Sequence, residues 1–115
     1  MTQKEIAESF SNGKFELVFE HFAENIQWTV IGEAQYDGIK EVIENCEQTV
    51  NYFKSVTTEF KTLNVIEGNN LIAINGTAEF LKDNKRVAFV SACDVYEFNN
   101  EYKLERITSY CIQNK

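Results

Sequence analysis

Residues 71–98 read LIAINGTAEFLKDNKRVAFVSACDVYEF, two runs rich in Val, Ile, Phe and Ala on either side of Asp83-Asn84. Branched and aromatic side chains fit a pleated, half-buried surface, and Asp and Asn tolerate the backbone of a tight turn. The stretch therefore predicts an antiparallel hairpin. Comparable segments at 56–66 and 103–113 flank it, set off by Glu67-Gly68-Asn69-Asn70 and Asn99-Asn100. Four consecutive strands joined by short turns follow, and with no proline in the chain nothing interrupts them.

Ahead of these strands the period changes. Thr2 and Glu5 have capping-box spacing, and Ile6, Ala7 and Phe10 share one helical face up to Asn12-Gly13, where glycine can end a helix. Phe15, Val18, Phe19 and Phe22 recur at helical spacing and predict a second short helix. Ile26, Trp28 and Val30 then alternate with Gln27 and Thr29 as in a strand, and Gly32 and Gly38 bracket a loop. From Gly38 to about Lys54, Ile39, Val42, Ile43, Cys46, Val50 and Phe53 form one apolar stripe, the clearest helix signal in the chain. Three N-terminal helices followed by strands predict an α+β fold, with the helices on one face of an antiparallel sheet.

The pairing of the hairpin decides which side chains meet. A regular two-residue turn at Asp83-Asn84 puts Asn75, Thr77 and Glu79 on one face with Ala88, Val90, Ala92 and Asp94. Ile72, Ile74, Ala78 and Phe80 then share the opposite face with Val87, Phe89, Cys93 and Val95. Helices cover one side of such a sheet, so the second apolar face is expected to meet another copy. A homodimer through the convex face of the sheet is the expectation.

The 115 residues suit one domain over 1–115, and the 43% hydrophobic and 13% aromatic shares suit a filled core. The net charge of -7 repels phosphate backbones and anionic headgroups, so neither nucleic acid nor a membrane is expected as partner. No apolar run reaches the roughly 18 residues of a spanning helix. Cys46, Cys93 and Cys111 lack CxxC spacing, and no apolar leader opens the chain, which suggests a reduced, cytoplasmic protein. His21 is the only histidine, so no metal site is expected, and no sequence feature calls for a cofactor.

The order of elements, with Phe22-Ala23-Glu24-Asn25-Ile26-Gln27-Trp28, Gly32, Tyr36-Asp37-Gly38 and Asp94-Val95-Tyr96-Glu97-Phe98, resembles the nuclear transport factor 2-like superfamily. Within it the chain is most similar to the SnoaL-like branch, whose second motif continues here through Lys103-Leu104 to Tyr110. The resemblance covers almost the whole chain. It implies a cone, a curved antiparallel sheet wrapped round helices with a pocket at the open end. Members include ketosteroid isomerases, polyketide cyclases, epoxide hydrolases, dehydratases and non-catalytic binding or assembly modules, so the fold leaves the function open.

The resemblance gives Asp94 a pocket position, matching the aspartate with which ketosteroid isomerases donate a hydrogen bond to a developing oxyanion. Val90, Ala92 and Tyr96 would supply apolar walls that raise its pKa by desolvation. The isomerase base expected near Val30 and the isomerase tyrosine expected near Glu5, Ile6 and Ala7 have no counterparts, so the full steroid mechanism is not expected. Glu79 is a weak substitute for that base: it falls on Asp94's face in the regular register, but far enough along the hairpin to be solvated. Trp28 and Tyr36 match positions at the pocket mouth, and Ser109 and Cys111 alternate at pocket-facing positions. No base or cation accompanies Cys111, which reads as an inert buried thiol, and His21 is expected in solvent.

The implied partner is a small hydrophobic molecule. One reading is an enzyme that isomerises, cyclises or dehydrates an apolar carbonyl compound by cofactor-independent proton transfer, with Asp94 as acid or oxyanion donor. The other is a non-catalytic module for ligand binding or dimerisation.

Overall fold

The computed structural model describes residues 1–114. The chain opens with α1 (Gln3–Ser11), whose capping box closes in both directions: Glu5 N–H donates to Thr2 Oγ1 at 3.1 Å and Thr2 N–H to Glu5 Oε1 at 2.8 Å. Ile6, Ala7 and Phe10 form its buried face. The expected second helix is instead two separate 3-10 turns, Phe15–Leu17 and Phe19–His21, so the helical layer holds two α-helices and not three. A 3-10 turn also brings residues three apart onto one side, which is why the apolar spacing fits both forms.

The first strand, β1 (Phe22–Val30), starts earlier than its alternation suggests. The expected loop between Gly32 and Gly38 holds a second strand, β2 (Ala34–Asp37), antiparallel to β1 with Trp28 opposite Tyr36. Then come α2 (Gly38–Ser55), which buries Val42 and Cys46, and the long strands β3 (Thr57–Gly68), β4 (Leu71–Lys82), β5 (Lys85–Phe98) and β6 (Leu104–Asn114). The six strands form one sheet in the order β2-β1-β6-β5-β4-β3, antiparallel except where β1 runs parallel to β6. Two helices packed on a curved, unclosed sheet make the α+β cone that the resemblance implies. The core lies between them, with Ile26, Val42, Cys46, Tyr96, Leu104 and Ile107 sealed from solvent. No described helix is long and apolar enough to cross a membrane.

The β4–β5 hairpin turns at Asp83 and Asn84, both at positive φ (54° and 63°), the conformation of a two-residue hairpin turn. Its register departs from the regular one a few residues later. Leu81 pairs with Arg86 but Phe80 pairs with Ala88, so Val87 is an extra residue on β5. One inserted residue exchanges the faces of β4 relative to β5 from that point on. Ile74 now lies opposite Asp94, Gly76 opposite Ala92 and Ala78 opposite Val90.

Two sequence expectations are corrected by this bulge. Glu79 lies on the outer face opposite Phe89, where it pairs with Arg86 (Arg86 Nε to Glu79 Oε2, 2.6 Å), and it is not a second carboxyl beside Asp94. Ile72, Ile74, Ala78 and Phe80 are buried on the inner face under the helices, so they are not part of an outer apolar patch.

A second bulge, at Leu63 on β3, brings that strand over Gly76. A Cβ at Gly76 would collide with the backbone carbonyl of Lys61, which cannot swing aside as a side chain can. Gly76→Ala is expected to lower stability by about 1–3 kcal/mol, as overpacking against a fixed backbone does. The check is a lower denaturant midpoint with an unchanged m-value. An unchanged midpoint would mean that β3 gives way freely there.

Candidate functional site

The concave face does not pack fully against the helices. Between them lies an open cavity of about 260 Å³. Its walls come from the end of α1 (Phe10, Ser11), from Phe15, from Trp28 and Val30 of β1, and from Phe53 of α2. Phe60 of β3, Ile74, Ala78 and Phe80 of β4, Val90, Ala92 and Asp94 of β5, and Ser109 and Cys111 of β6 add to them, and Asn12, Gly13, Thr49, Lys61, Thr62, Gly76 and Thr77 also line it. The alternation of each strand carries every second side chain inward, so Val90, Ala92 and Asp94 line one wall in succession.

Asp94 is the only carboxyl among the cavity-lining residues described. Ser11 Oγ donates to its Oδ2 at 2.9 Å and the Tyr96 hydroxyl lies 3.3 Å from the same oxygen. Ser11 and Tyr96 also share a short hydrogen bond. Ser109, only 2% exposed and opposite Asp94 in the β5–β6 pairing, accepts a hydrogen bond from Trp28 Nε1 at 3.0 Å. Burial pushes the Asp94 carboxyl above its usual range, and the hydroxyls of Ser109, Ser11 and Tyr96 oppose that rise without cancelling it. Burial and the adjacent Asp94 hold the Tyr96 phenol well above its ordinary value, so it stays protonated.

The site thus brings together Asp94, Trp28, Val30, Val90, Ala92, Ser109 and Cys111, and leaves out two residues. Glu79 is on the far face. Tyr36 is absent from the cavity wall and packs behind Trp28, ring centroids 5.8 Å apart. Cys111 is exposed at the mouth and not buried; partial desolvation, Asp94 and Glu33 push its thiol up to about 11, so it is mostly protonated near neutrality. His21 is half-buried against expectation, and its Nε2 has no hydrogen-bond partner. Sequence reasoning missed Ser11, whose place at the end of α1 gives no hint of the strand it meets, and treated Tyr96 only as a wall. The DVY motif places a hydroxyl two residues from Asp94 on the same face, a signal that was available.

A crystallised NTF2-like protein of unknown function from Cytophaga hutchinsonii ATCC 33406 is 37% identical to this chain. The match covers 94% of each chain, with a TM-score of 0.84. The chain belongs to the NTF2-like family. Two more distant solved structures share the fold. A SnoaL-like family protein from Agrobacterium tumefaciens str. C58, a candidate isomerase, is 19% identical over 97% of this chain and 99% of its own (TM-score 0.73). An LEH-like epoxide hydrolase from M. tuberculosis is 14% identical over 95% of this chain and 81% of its own (TM-score 0.71). No family model and no curated protein sequence matches the chain.

The raised pKa of Asp94 makes stability depend on pH. The native carboxyl holds its proton more tightly than the unfolded one, so its stabilising contribution is full below the ordinary value of 3.8 and is lost as pH rises through the native pKa. The unfolding free energy of wild type minus that of Asp94→Asn is therefore expected to fall as pH rises across that window. Urea unfolding at a series of pH values checks this, and a difference that rises would contradict the burial of the carboxyl.

Proposed function

We propose that this NTF2-like domain binds a small, largely apolar molecule in the cavity, with the Asp94 carboxyl meeting the ligand's polar end. The observation that carries the reading is a single hydrogen-bonded carboxyl set in walls that are otherwise mainly aromatic and aliphatic, with the cavity open to solvent. Sites for small molecules commonly combine an apolar hollow with a few fixed polar groups. A panel of small apolar molecules, each with one polar group, is expected to raise the melting temperature of wild type. At a hundredfold excess over Kd the stabilisation is about 2.7 kcal/mol. Asp94→Asn is expected to lose most of the shift for the best ligand. A panel without any shift, or shifts indifferent to Asp94, would overturn the reading.

Turnover is the second reading, supported by the raised pKa of a carboxyl that faces the cavity. Asp94 would act as acid or oxyanion donor in cofactor-independent isomerisation, cyclisation or dehydration of a carbonyl compound. With no second carboxyl on the wall, one residue would both take and return the proton. Solvent deuterium entering the carbon beside a ligand carbonyl, in wild type and not in Asp94→Asn, distinguishes this from binding alone.

A homodimer through the outer sheet face also remains our proposal, with its residues revised by the bulge. Phe89, Val95, Tyr110 and Ile112 lie on that face, Ile112 at 68% exposure, and the intervening Ser91, Cys93 and Thr108 carry no charge. An uncharged, self-complementary strip suits a twofold contact despite the chain's overall negative charge. Sedimentation equilibrium at micromolar concentration is expected to give twice the 13.3 kDa chain mass, reduced to one chain by Ile112→Glu. A wild-type monomer would refute it.

A further inference from the structure

The hydrogen-bond directions around Asp94 restrict what an occupant must offer. An indole N–H only donates, so Ser109 Oγ, opposite Asp94 in the β5–β6 pairing, accepts from Trp28. Ser11 donates to Asp94 Oδ2, and the Tyr96 hydroxyl is aimed at the same oxygen and at Ser11. The Ser11 and Tyr96 hydrogens beside the carboxyl are thus engaged within the protein, and the carboxylate itself offers acceptor capacity.

No basic side chain answers that carboxyl. The Arg86–Glu79 ion pair found among the described residues does not involve Asp94. Lys61 is the one basic residue on the cavity wall, but it alternates with the inward Phe60 and Thr62, so its exposed side chain belongs to the outer face. A carboxylate in an apolar site without a counter-charge is unfavourable, and the same site favours an entering cation. The rings of Phe10, Phe15, Trp28, Phe53, Phe60 and Phe80 line the same cavity, and aromatic faces attract ammonium groups.

We infer that the occupant is a small organic amine, bound as its ammonium ion with N–H groups on the Asp94 carboxylate and its apolar body against the aromatic wall. The inference rests on the cavity's being a binding site, as proposed above. A ketone offers the Asp94 carboxylate only a second acceptor; an ammonium offers several donors and the missing charge.

Three molecules of one shape test this: 1-phenylethylamine, acetophenone and cumene, titrated into the intact protein and followed by amide chemical shifts in NMR. The amine is expected to bind at least tenfold more tightly than either neutral molecule. Asp94→Asn is expected to abolish that preference, the amine falling to the affinity of the neutral molecules. Because the order of affinities in wild type already decides the matter, the test does not depend on how well the variant folds. Acetophenone binding as well as or better than the amine overturns the inference and leaves the cavity reading standing, with Asp94 then acting as a donor. If none of the three perturbs residues of the cavity, both the inference and the reading beneath it fail.

Discussion

The fold's inner surface depends on one extra residue. Val87 adds a position to β5 just after the hairpin turn, and because strand side chains alternate, that addition decides which residues of β4 accompany Asp94. With it, Ile74, Gly76, Ala78 and Phe80 face inward beside Val90, Ala92 and Asp94. Without it, Asn75, Thr77 and Glu79 would occupy those places and the cavity would be polar. Desolvation of Asp94, the apolar wall and the exclusion of Glu79 are thus consequences of the same bulge. The Arg86 guanidinium, 4.7 Å from the Phe89 ring centroid, reflects the bulge, because without the extra residue Arg86 and Phe89 would point to opposite faces of the sheet.

This also explains what was legible in the sequence. Long periodic segments were: the stripe of α2 and the four strands from β3 to β6 stand within a few residues of their sequence boundaries. The hairpin turn was legible from Asp83-Asn84. The bulge was not, since neither glycine nor proline marks Val87 and the energetic reason for it lies in the apolar face it buries. The strand β2 escaped because four residues carry too little alternation to tell a strand from a loop, and its pairing with β1 is a tertiary fact.

At the site, Asp94 was readable as a charge interrupting an apolar run within a family-like motif. The partners that define its environment were not. Ser11 comes from the end of α1, eighty-three positions away in the chain, and meets Asp94 only because α1 crosses the inner face of β5. Ser109 was assigned to the pocket by alternation along β6. Its hydrogen bond to Trp28 follows from the parallel pairing of β1 with β6, which puts Val30 opposite Ser109 and Trp28 opposite Ile107.

The arrangement around Asp94 is difficult to account for by folding alone. An apolar residue of similar size would fill this position without desolvating a carboxyl, and replacing a buried charged group by a well-packed apolar one is often stabilising. Instead, Ser11 of α1 and Tyr96 of β5 are oriented toward a single acid, with Trp28 of β1 held on Ser109 of β6 beside it, each losing rotational freedom in a site where one missing partner would leave a buried polar group unsatisfied. Local departures from the most stable choice concentrate where a protein binds or reacts. Cys111 makes the contrast: it lies on the same cavity, exposed, with no oriented partner and a thiol shifted away from reactivity. Between these two groups, the fold sets hydroxyl donors on the carboxyl and none on the thiol, which is why the proposed ligand contact is placed at Asp94.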